Sequence, residues 1–202
     1  MKNTIIIKKT LKPFCSNLKI EGDKSLSIRW ALLASQSIGK STSTNLLRSD
    51  DVLNTLNCLK KLGVKIYLSK NKCEIYGTGI NGYKYKKNIV LNAGNSGTLA
   101  RLIMGLLVHS KNKIKIIGDK SLSKRDFLRV TKPLEKFGAK FKTNFGKLPV
   151  VIKGTKNPIP VKFKENKGSA QCKSAVMLAA LNTKGKTIIK AKKSRNHSEL
   201  LF

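Results

Sequence analysis

The feature that most constrains the fold of this chain is an internal repeat. The segment Leu-Lys-Lys-Leu-Gly-Val-Lys-Ile at 59–66 recurs as Leu-Glu-Lys-Phe-Gly-Ala-Lys-Phe at 134–141, with Gly63 and Gly138 placed 75 positions apart. Each segment has the pattern of an amphipathic helix that ends at glycine and is followed by a strand. A third copy begins at Gly168, and its second helix has barely begun where the sequence ends at Phe202. The pattern predicts repeated α/β units, the third one incomplete.

A polar loop opens the second copy and runs directly into an apolar helix. The strand expected over 88–91 is followed by Asn-Ala-Gly-Asn-Ser-Gly-Thr at 92–98. Ser96 and Thr98 are residues that can cap a helix, and Arg101 lies four positions after Gly97 on the same helical face. Free N–H groups and a partial positive charge make a helix N-terminus suitable for binding anions. The loop therefore predicts an anion site.

The same arrangement occurs once in each copy, because a small residue at the expected helix start is followed by a cation four positions later. The pairs are Ser25 with Arg29, Gly97 with Arg101, and Ser169 with Lys173. Arg125 and Arg195 precede the second helices of copies two and three. Taken singly, each pair reads as an ordinary cap with a solvated cation. Three aligned pairs favour three helix ends that meet around one anionic ligand.

The strands and helices expected from periodicity follow the repeat. The expected strands are 4–8, 18–20, 41–47, 64–68, 73–76, 88–91, 113–117, 139–141, 150–152 and 186–190. The expected helices run over 30–35 (opened by 21–29 and ended by Gly39), 52–62 (capped by 49–51), 99–108, a segment ending at 133–138, and 175–181.

Composition limits the possible partners. The net charge is +32, from 42 lysines and arginines against ten acidic residues, which favours anionic ligands. The lysines are spread along the whole chain, whereas a nucleic-acid footprint is more clustered, and aromatic residues make up only 6%. We therefore expect most lysines to form a solvated surface. A basic nucleic-acid-binding module remains the alternative of a different functional class.

The cysteines and the apolar runs exclude several other classes. The four cysteines have no C-x-x-C spacing and there are two histidines, so neither a zinc site nor a disulfide framework is expected. The three isoleucines at 5–7 are too few for a signal peptide, and no apolar run could span a membrane. The expectation is a cytoplasmic protein without metal, and without membrane association.

Five motifs in order make the sequence resemble the EPSP synthases (5-enolpyruvylshikimate-3-phosphate synthases). The motifs are Gly-Asp-Lys-Ser at 22–25 with Arg29, the loop 92–98 with Arg101, Gly-Asp-Lys-Ser-Leu at 118–122 with Arg125, the segment 168–175, and Ser-Arg-Asn-His-Ser-Glu at 194–199. The resemblance implies an inside-out α/β barrel of repeated βαβαββ units, the enolpyruvyl transferase fold. It assigns 21–202 to the first domain, with units at about 21–85, 86–155 and 156–202, and residues 1–20 to a second domain.

The resemblance also implies a reaction. EPSP synthases transfer the enolpyruvyl group of phosphoenolpyruvate (PEP) to the 5-hydroxyl of shikimate 3-phosphate and release phosphate, on the route to chorismate and the aromatic amino acids. No metal or organic cofactor is implied, and the full-length protein is expected to be a monomer. The sister transferase that acts on UDP-N-acetylglucosamine shares the fold and is the nearest alternative, but 168–175 and 194–199 look like EPSP synthase.

Site residues follow from the resemblance, position by position. The implied ligands of shikimate 3-phosphate are Lys24, Ser25, Arg29, Ser169, Ala170, Gln171, Ser194 and Arg195. The implied ligands of PEP are Lys24, Gly97, Arg101, Arg125 and Gln171.

Some features depart from the family pattern. Ile28 stands where histidine is frequent, and Asp126-Phe127 follow Arg125 in place of Pro-Met. The family's acid/base carboxylates belong to a second half that is absent from this sequence, so no catalytic residue is expected here and the chain alone is expected to be inactive. Because Gly97 leaves the PEP pocket open, we expect an intact version to be sensitive to glyphosate.

Overall fold

The computed structural model describes residues 20–201 without a break and, before them, only positions 6, 8, 10, 13, 15, 17 and 18. The strands expected over 4–8 and 18–20 therefore include residues outside the described set. In the first copy the elements are α1 (Lys24–Ala34), β1 (Ile38–Thr44), α2 (Asp50–Lys61), β2 (Lys65–Leu68) and β3 (Lys72–Thr78).

The second and third copies continue the same order. The second has β4 (Ile89–Asn92), α3 (Gly97–Leu106), β5 (Ile114–Ile117), α4 (Leu128–Glu135), β6 (Lys140–Asn144) and β7 (Lys147–Lys153). Short 3₁₀ helices at Leu107–His109 and Leu122–Lys124 follow α3 and precede α4. The third has β8 (Lys162–Glu165), α5 (Ala170–Leu181) and β9 (Ile188–Ala191).

The three sheets repeat one strand pattern. In the second copy the order is β4-β5-β7-β6, with β4 and β5 parallel and the other pairs antiparallel. The first copy has β1-β3-β2, which matches β5-β7-β6, and the third has the parallel pair β8-β9, which matches β4-β5. The internal repeat predicted from the sequence is therefore confirmed, and so is an incomplete third unit.

The helices lie inside and the sheets outside. Nine of the ten residues of α3 are buried, and α3 packs so tightly against α5 that a Cβ on Gly105 would lie 2.1 Å from the Ala175 carbonyl oxygen. On the sheets the burial alternates, so residues such as Ile114 and Ile116 face the helices while Lys115 is exposed. This is the inside-out arrangement expected from the resemblance. Within the described part of the chain, no helix is long and apolar enough to cross a bilayer.

Gly63 and Gly138 behave as predicted, whereas Gly39 does not. Both repeat glycines have positive φ, +89° and +100°, and lie two and three residues after the amphipathic helices end. Gly39 was expected to end the first helix, but α1 ends at Ala34 and Gly39 lies in β1. The reason is local, because the hydroxyls of Ser35 and Ser37 donate to the Leu32 and Ala34 carbonyls and satisfy the helix end earlier.

The sequence patterns did not predict strand β8. Its four residues, Lys-Phe-Lys-Glu, carry too little periodicity to be recognised, and it exists through its register with β9, where Phe163 lies opposite Ile189.

Candidate anion-binding site

The site is built on the first turns of the three inner helices. The side chains of Asp23, Ser96 and Ser169 cap α1, α3 and α5 by accepting from the backbone N–H of Leu26 (2.7 Å), Leu99 (3.2 Å) and Cys172 (3.3 Å). The caps are each 73 residues apart, so they occupy one position of the repeat.

Two expected caps are corrected by these contacts. Ser25 lies inside the first turn of α1, because Asp23 is the cap and begins the helix two residues earlier. Thr98 does not cap α3 either; its hydroxyl accepts a hydrogen bond from Gln171 Nε2 at 2.9 Å. Since Thr98 belongs to α3 and Gln171 to α5, this bond also places the two helix starts side by side.

Gly97 lies between two arginines. A Cβ on Gly97 would be 2.9 Å from Arg101 Nη1 and 3.1 Å from Arg125 Nη1. The sequence places these arginines on different elements, and the fold brings their guanidinium groups together over the start of α3. Two guanidinium groups beside a helix N-terminus form a site for a phosphate or carboxylate group.

Arg101 is held by three contacts. Its Nη1 donates to Gln171 Oε1 at 2.7 Å and its Nη2 to the Asp126 carbonyl oxygen at 3.3 Å, while its guanidinium carbon lies 5.1 Å from the centre of the Phe127 ring. Burial lowers the pKa of Arg101 from its ordinary value, but a guanidinium stays protonated at neutral pH. The departure Asp126-Phe127 noted in the sequence thus supports this arginine.

Arg125 is held through a relay of polar side chains. Its Nη2 donates to Asn95 Oδ1 at 3.4 Å, and Asn95 Nδ2 donates to Asp119 Oδ2 at 2.5 Å. The other oxygen of Asp119 accepts from the Leu122 backbone N–H at 2.7 Å. The Leu122 bond first, and then the Asn95 bond, lower the pKa of the Asp119 carboxyl. Asn95 and Asp119 both lie within the sequence motifs, but the sequence alone indicated no role for either.

Arg29 is only 4% exposed and joins the first copy to the third. It donates to Ser198 Oγ (2.9 Å), to the Ser25 carbonyl oxygen (3.1 Å) and to Ser174 Oγ (3.2 Å). Burial lowers the pKa of the Arg29 guanidinium from its ordinary value. The two serines are 145 and 169 residues away in sequence, so no local pattern could have indicated them.

The third copy supplies a buried lysine with an acidic partner. Lys173 forms an ion pair with Glu199, and its Nζ donates to the Arg195 carbonyl oxygen at 3.3 Å. Burial would raise the pKa of the Glu199 carboxyl, but the hydrogen bond and charge of Lys173 outweigh burial and the pKa lies below its ordinary value. Arg195 itself is exposed, and the neighbouring Ser194 has a buried hydroxyl oxygen without a hydrogen-bond partner among the described residues.

Two acidic residues orient the remaining site residues. Lys24 Nζ lies 3.0 Å from Asp51 Oδ2, so the second of the two adjacent acids at the start of α2 pairs with a predicted substrate ligand. Glu165, which is buried, accepts from the backbone N–H groups of Lys167 (3.1 Å) and Ser169 (2.8 Å). These bonds fix the loop that leads to Ser169 and Ala170 at the start of α5, and no sequence pattern indicated Glu165.

Several of the predicted residues form connected groups. Gly97, Arg101, Arg125 and Gln171 make one, linked by the contacts given above. Arg29 binds the Ser25 carbonyl oxygen within α1 and connects α1 to α5 through Ser174, and Lys173 connects α5 to Arg195. Over the described residues, no cluster of three or more His, Cys, Asp or Glu side chains could hold a metal ion.

Comparison with known proteins identifies the family. The family model described as EPSP synthase (3-phosphoshikimate 1-carboxyvinyltransferase) matches residues 8–201. The chain belongs to the EPSP synthase family. Its fold agrees, because the EPSP synthase structure from Acinetobacter baumannii superposes with a TM-score of 0.85 and 35% identity, over 90% of this chain and 42% of that one.

Relatives in the EPSP synthase family show how much of a full-length protein this chain covers. The 3-phosphoshikimate 1-carboxyvinyltransferase of Paracoccus denitrificans is 40% identical over 193 residues, and that of Vesicomyosocius okutanii is 43% identical over 187 residues. These alignments cover 94% and 92% of this chain but 43% of each relative. The chain therefore spans less than half the length of the curated relatives it matches.

Proposed function

We propose that this chain supplies the first substrate-binding half of an enzyme that transfers the enolpyruvyl group of PEP to the 5-hydroxyl of shikimate 3-phosphate, giving EPSP and phosphate. The observation that carries the proposal is the pair of guanidinium groups that flank Gly97 at the start of α3. Membership of the EPSP synthase family supports the same reaction. Both substrates carry phosphate and carboxylate groups, for which arginine and helix N–H groups are suitable partners.

The proposal divides the site into two parts. In the PEP part, Gly97 gives room for the ligand, Arg101 and Arg125 bind its charged groups, and Gln171 and Lys24 complete the contacts. The part for shikimate 3-phosphate consists of Lys24, Ser25, Arg29, Ser169, Ala170, Gln171, Ser194 and Arg195. Lys24 is common to both parts, and release from Asp51 would allow its ammonium group to reach the substrates.

The chain alone is proposed to bind without turning over. General acid/base chemistry needs a carboxyl or an equivalent group within reach of the reacting atoms. The carboxylates near the site have structural partners, because Asp51 pairs with Lys24, Glu199 with Lys173, and Asp119 with Asn95 and a helix start. We place the proton-transfer groups in a second domain, to which residues 1–20 also belong, and we expect a monomeric cytoplasmic enzyme that uses no metal or organic cofactor.

The decisive experiment joins this chain to the part of an EPSP synthase that it does not cover. A chimera carries residues 1–201 followed by the remaining part of the Paracoccus denitrificans relative, and phosphate release is measured with PEP and shikimate 3-phosphate. The expected result is turnover by the chimera, none by the 202-residue chain, and loss of turnover in the Arg125→Ala chimera.

Two results would refute the proposal. One is turnover by the isolated chain, which would place the acid/base groups within these 202 residues. The other is a folded but inactive chimera that, in calorimetry, binds UDP-N-acetylglucosamine in preference to shikimate 3-phosphate. That second result would assign the site to the sister transferase.

A further inference from the structure

We infer that Asn95 is a positioning residue, whose amide oxygen holds the Arg125 guanidinium beside Gly97 while leaving its positive charge available to the ligand. The inference rests on the proposed function, since it assumes that the pocket at Gly97 receives an anion. Asn95 itself is exposed, and its two side-chain contacts are with Asp119 and Arg125.

The orientation of the Asn95 amide is fixed by chemistry. An ionised carboxylate only accepts hydrogen bonds, so the side of the amide that faces Asp119 must be the NH₂ group. The amide oxygen therefore points the other way, towards Arg125 Nη2. Asp119 is itself fixed, because its carboxylate accepts from the Leu122 N–H and its backbone N–H donates to the Gly94 carbonyl oxygen at 2.9 Å.

The other arginine is held in the same way. Gln171 Nε2 donates to Thr98 Oγ1, which turns Gln171 Oε1 towards Arg101 Nη1. Each of the two guanidinium groups beside Gly97 thus donates to the oxygen of a neutral amide. The two amides come from different copies of the repeat, α5 and the loop before α3, so the matching geometry was reached by different residues.

The neutrality of these partners has a chemical consequence. A carboxylate in the position of Asn95 could accept from Arg125 but would pair with its charge, and an anionic ligand would then compete with that carboxylate. It would also have no hydrogen to donate to Asp119 and would repel that carboxylate. With an amide, the geometry is fixed and the net charge on the guanidinium remains. The Asp119 carboxylate is separated from Arg125 by the Asn95 amide, and the Asp126 carboxylate accepts from the Leu128 backbone N–H.

The test separates charge from geometry in the 202-residue chain. Calorimetric titration with inorganic phosphate and with PEP compares the wild type with Asn95→Asp, Asn95→Ala and Asn157→Asp. Asn157 is exposed at the start of the connection to the third copy, so Asn157→Asp makes the same change of net charge away from the site. ¹⁵N relaxation of the Arg125 Nε–H group reports the mobility of that side chain without any ligand.

The expected results differ for each variant. Asn95→Asp weakens binding of both anions about tenfold, the effect of one lost charge-assisted hydrogen bond, because the new carboxylate pairs with the charge of Arg125. Asn95→Ala makes the Arg125 side chain mobile and weakens binding to a smaller extent. Asn157→Asp changes affinity less than about twofold, as an exposed and screened charge should.

Three outcomes would overturn the inference: an Asn95→Asp chain that binds phosphate as tightly as the wild type, an Asn157→Asp chain that loses as much affinity as Asn95→Asp, or an Arg125 side chain equally mobile in the wild type and in Asn95→Ala. The proposed function fails in a different way, through turnover by the isolated chain or through a folded, inactive chimera that prefers UDP-N-acetylglucosamine. If the wild-type chain binds phosphate but its chimera gives no turnover, the role of Asn95 is unaffected.

Discussion

At the scale of single residues, Gly97 has the sharpest consequence. In Gly97→Ala the added Cβ would lie 2.9 Å from Arg101 Nη1 and 3.1 Å from Arg125 Nη1, closer than ordinary van der Waals contact. Both atoms are the ends of flexible side chains, so the guanidinium groups should move and the fold should survive. We expect the affinity for PEP to fall about tenfold or more, as when a charge-assisted hydrogen bond is lost, with little change in thermal stability.

Calorimetry and thermal unfolding of the same preparation check this expectation. Unchanged affinity in a folded Gly97→Ala chain would mean that the space above Gly97 is not where the anion binds. The glyphosate sensitivity expected from the same glycine stays a prediction for the completed enzyme.

Cysteine reactivity gives a second prediction at the residue scale. Burial raises the pKa of the Cys58 thiol to about 11, so at mildly alkaline pH almost none of it is the reactive thiolate. Cys15 is exposed. In iodoacetamide labelling followed by mass spectrometry, Cys15 should be modified first and Cys58 only after unfolding. Equal labelling rates in the native protein would show that the helix α2 does not bury Cys58.

How far single residues could be predicted depends on sequence separation. The cations four positions after the helix starts could be named from spacing alone, because i and i+4 lie on one helical face. Their partners could not be named. Arg29 binds Ser174 and Ser198 across the whole molecule, and the role of Asn95 depends on Asp119, 24 residues later. Only the packing of the three copies brings these groups together.

At the scale of elements, the repeated glycine turns allow a comparison between copies. Gly63 and Gly138 both have positive φ, so an alanine at either site should cost about 1–3 kcal/mol in backbone strain. A Cβ on Gly63 would also lie 2.4 Å from the Lys84 carbonyl oxygen, whereas on Gly138 the nearest atom, Thr155 Cγ2, is 3.4 Å away. We therefore expect Gly63→Ala to destabilise the protein more than Gly138→Ala.

Denaturant unfolding followed by Trp30 fluorescence gives the two free energies of unfolding, and Gly138→Ala serves as the matched control for strain alone. If the two variants lose the same stability, the close approach of Lys84 is not a real constraint.

Elements differed in how well the sequence specified them. α2 and α4 followed from amphipathic spacing and a terminal glycine, and β2 with β3 followed from alternation. β8 could not be predicted, because its pairing with β9 decides its conformation. The end of α1 at Ala34 lies one residue from the expected bound, but its assigned stop, Gly39, was wrong, because side-chain hydroxyls satisfy its last carbonyls. Short-range patterns thus specified the longer elements and failed where tertiary pairing or local capping decided.

At the scale of the whole molecule, charge is the dominant feature. The net charge is +32, while the described residues form four ion pairs between side chains. Like charges on the surface repel one another, and this repulsion destabilises the compact state most at low ionic strength. We expect the melting temperature to rise when sodium chloride is increased from low to moderate concentration.

Calorimetric melting at several salt concentrations checks this prediction. Arg125→Ala is the control, since an anion bound at the site would stabilise the wild type alone. A melting temperature that is constant or falls with salt would show that the lysines are spaced too widely to repel one another.

The contacts of Arg29 have a further consequence for the molecule as a whole. Because this residue of α1 donates to Ser174 and Ser198, the first and third copies are neighbours. The first and second copies touch where Cys58 donates to the Asn92 carbonyl oxygen, and the second and third where Gln171 donates to Thr98. The copies therefore close a ring, unlike the stacked modules of a solenoid, which can gain or lose a module at either end. An inserted fourth copy would separate Arg29 from its serines and open the ring. Evolution can consequently vary the outer sheets of this ring more readily than the number of copies that close it.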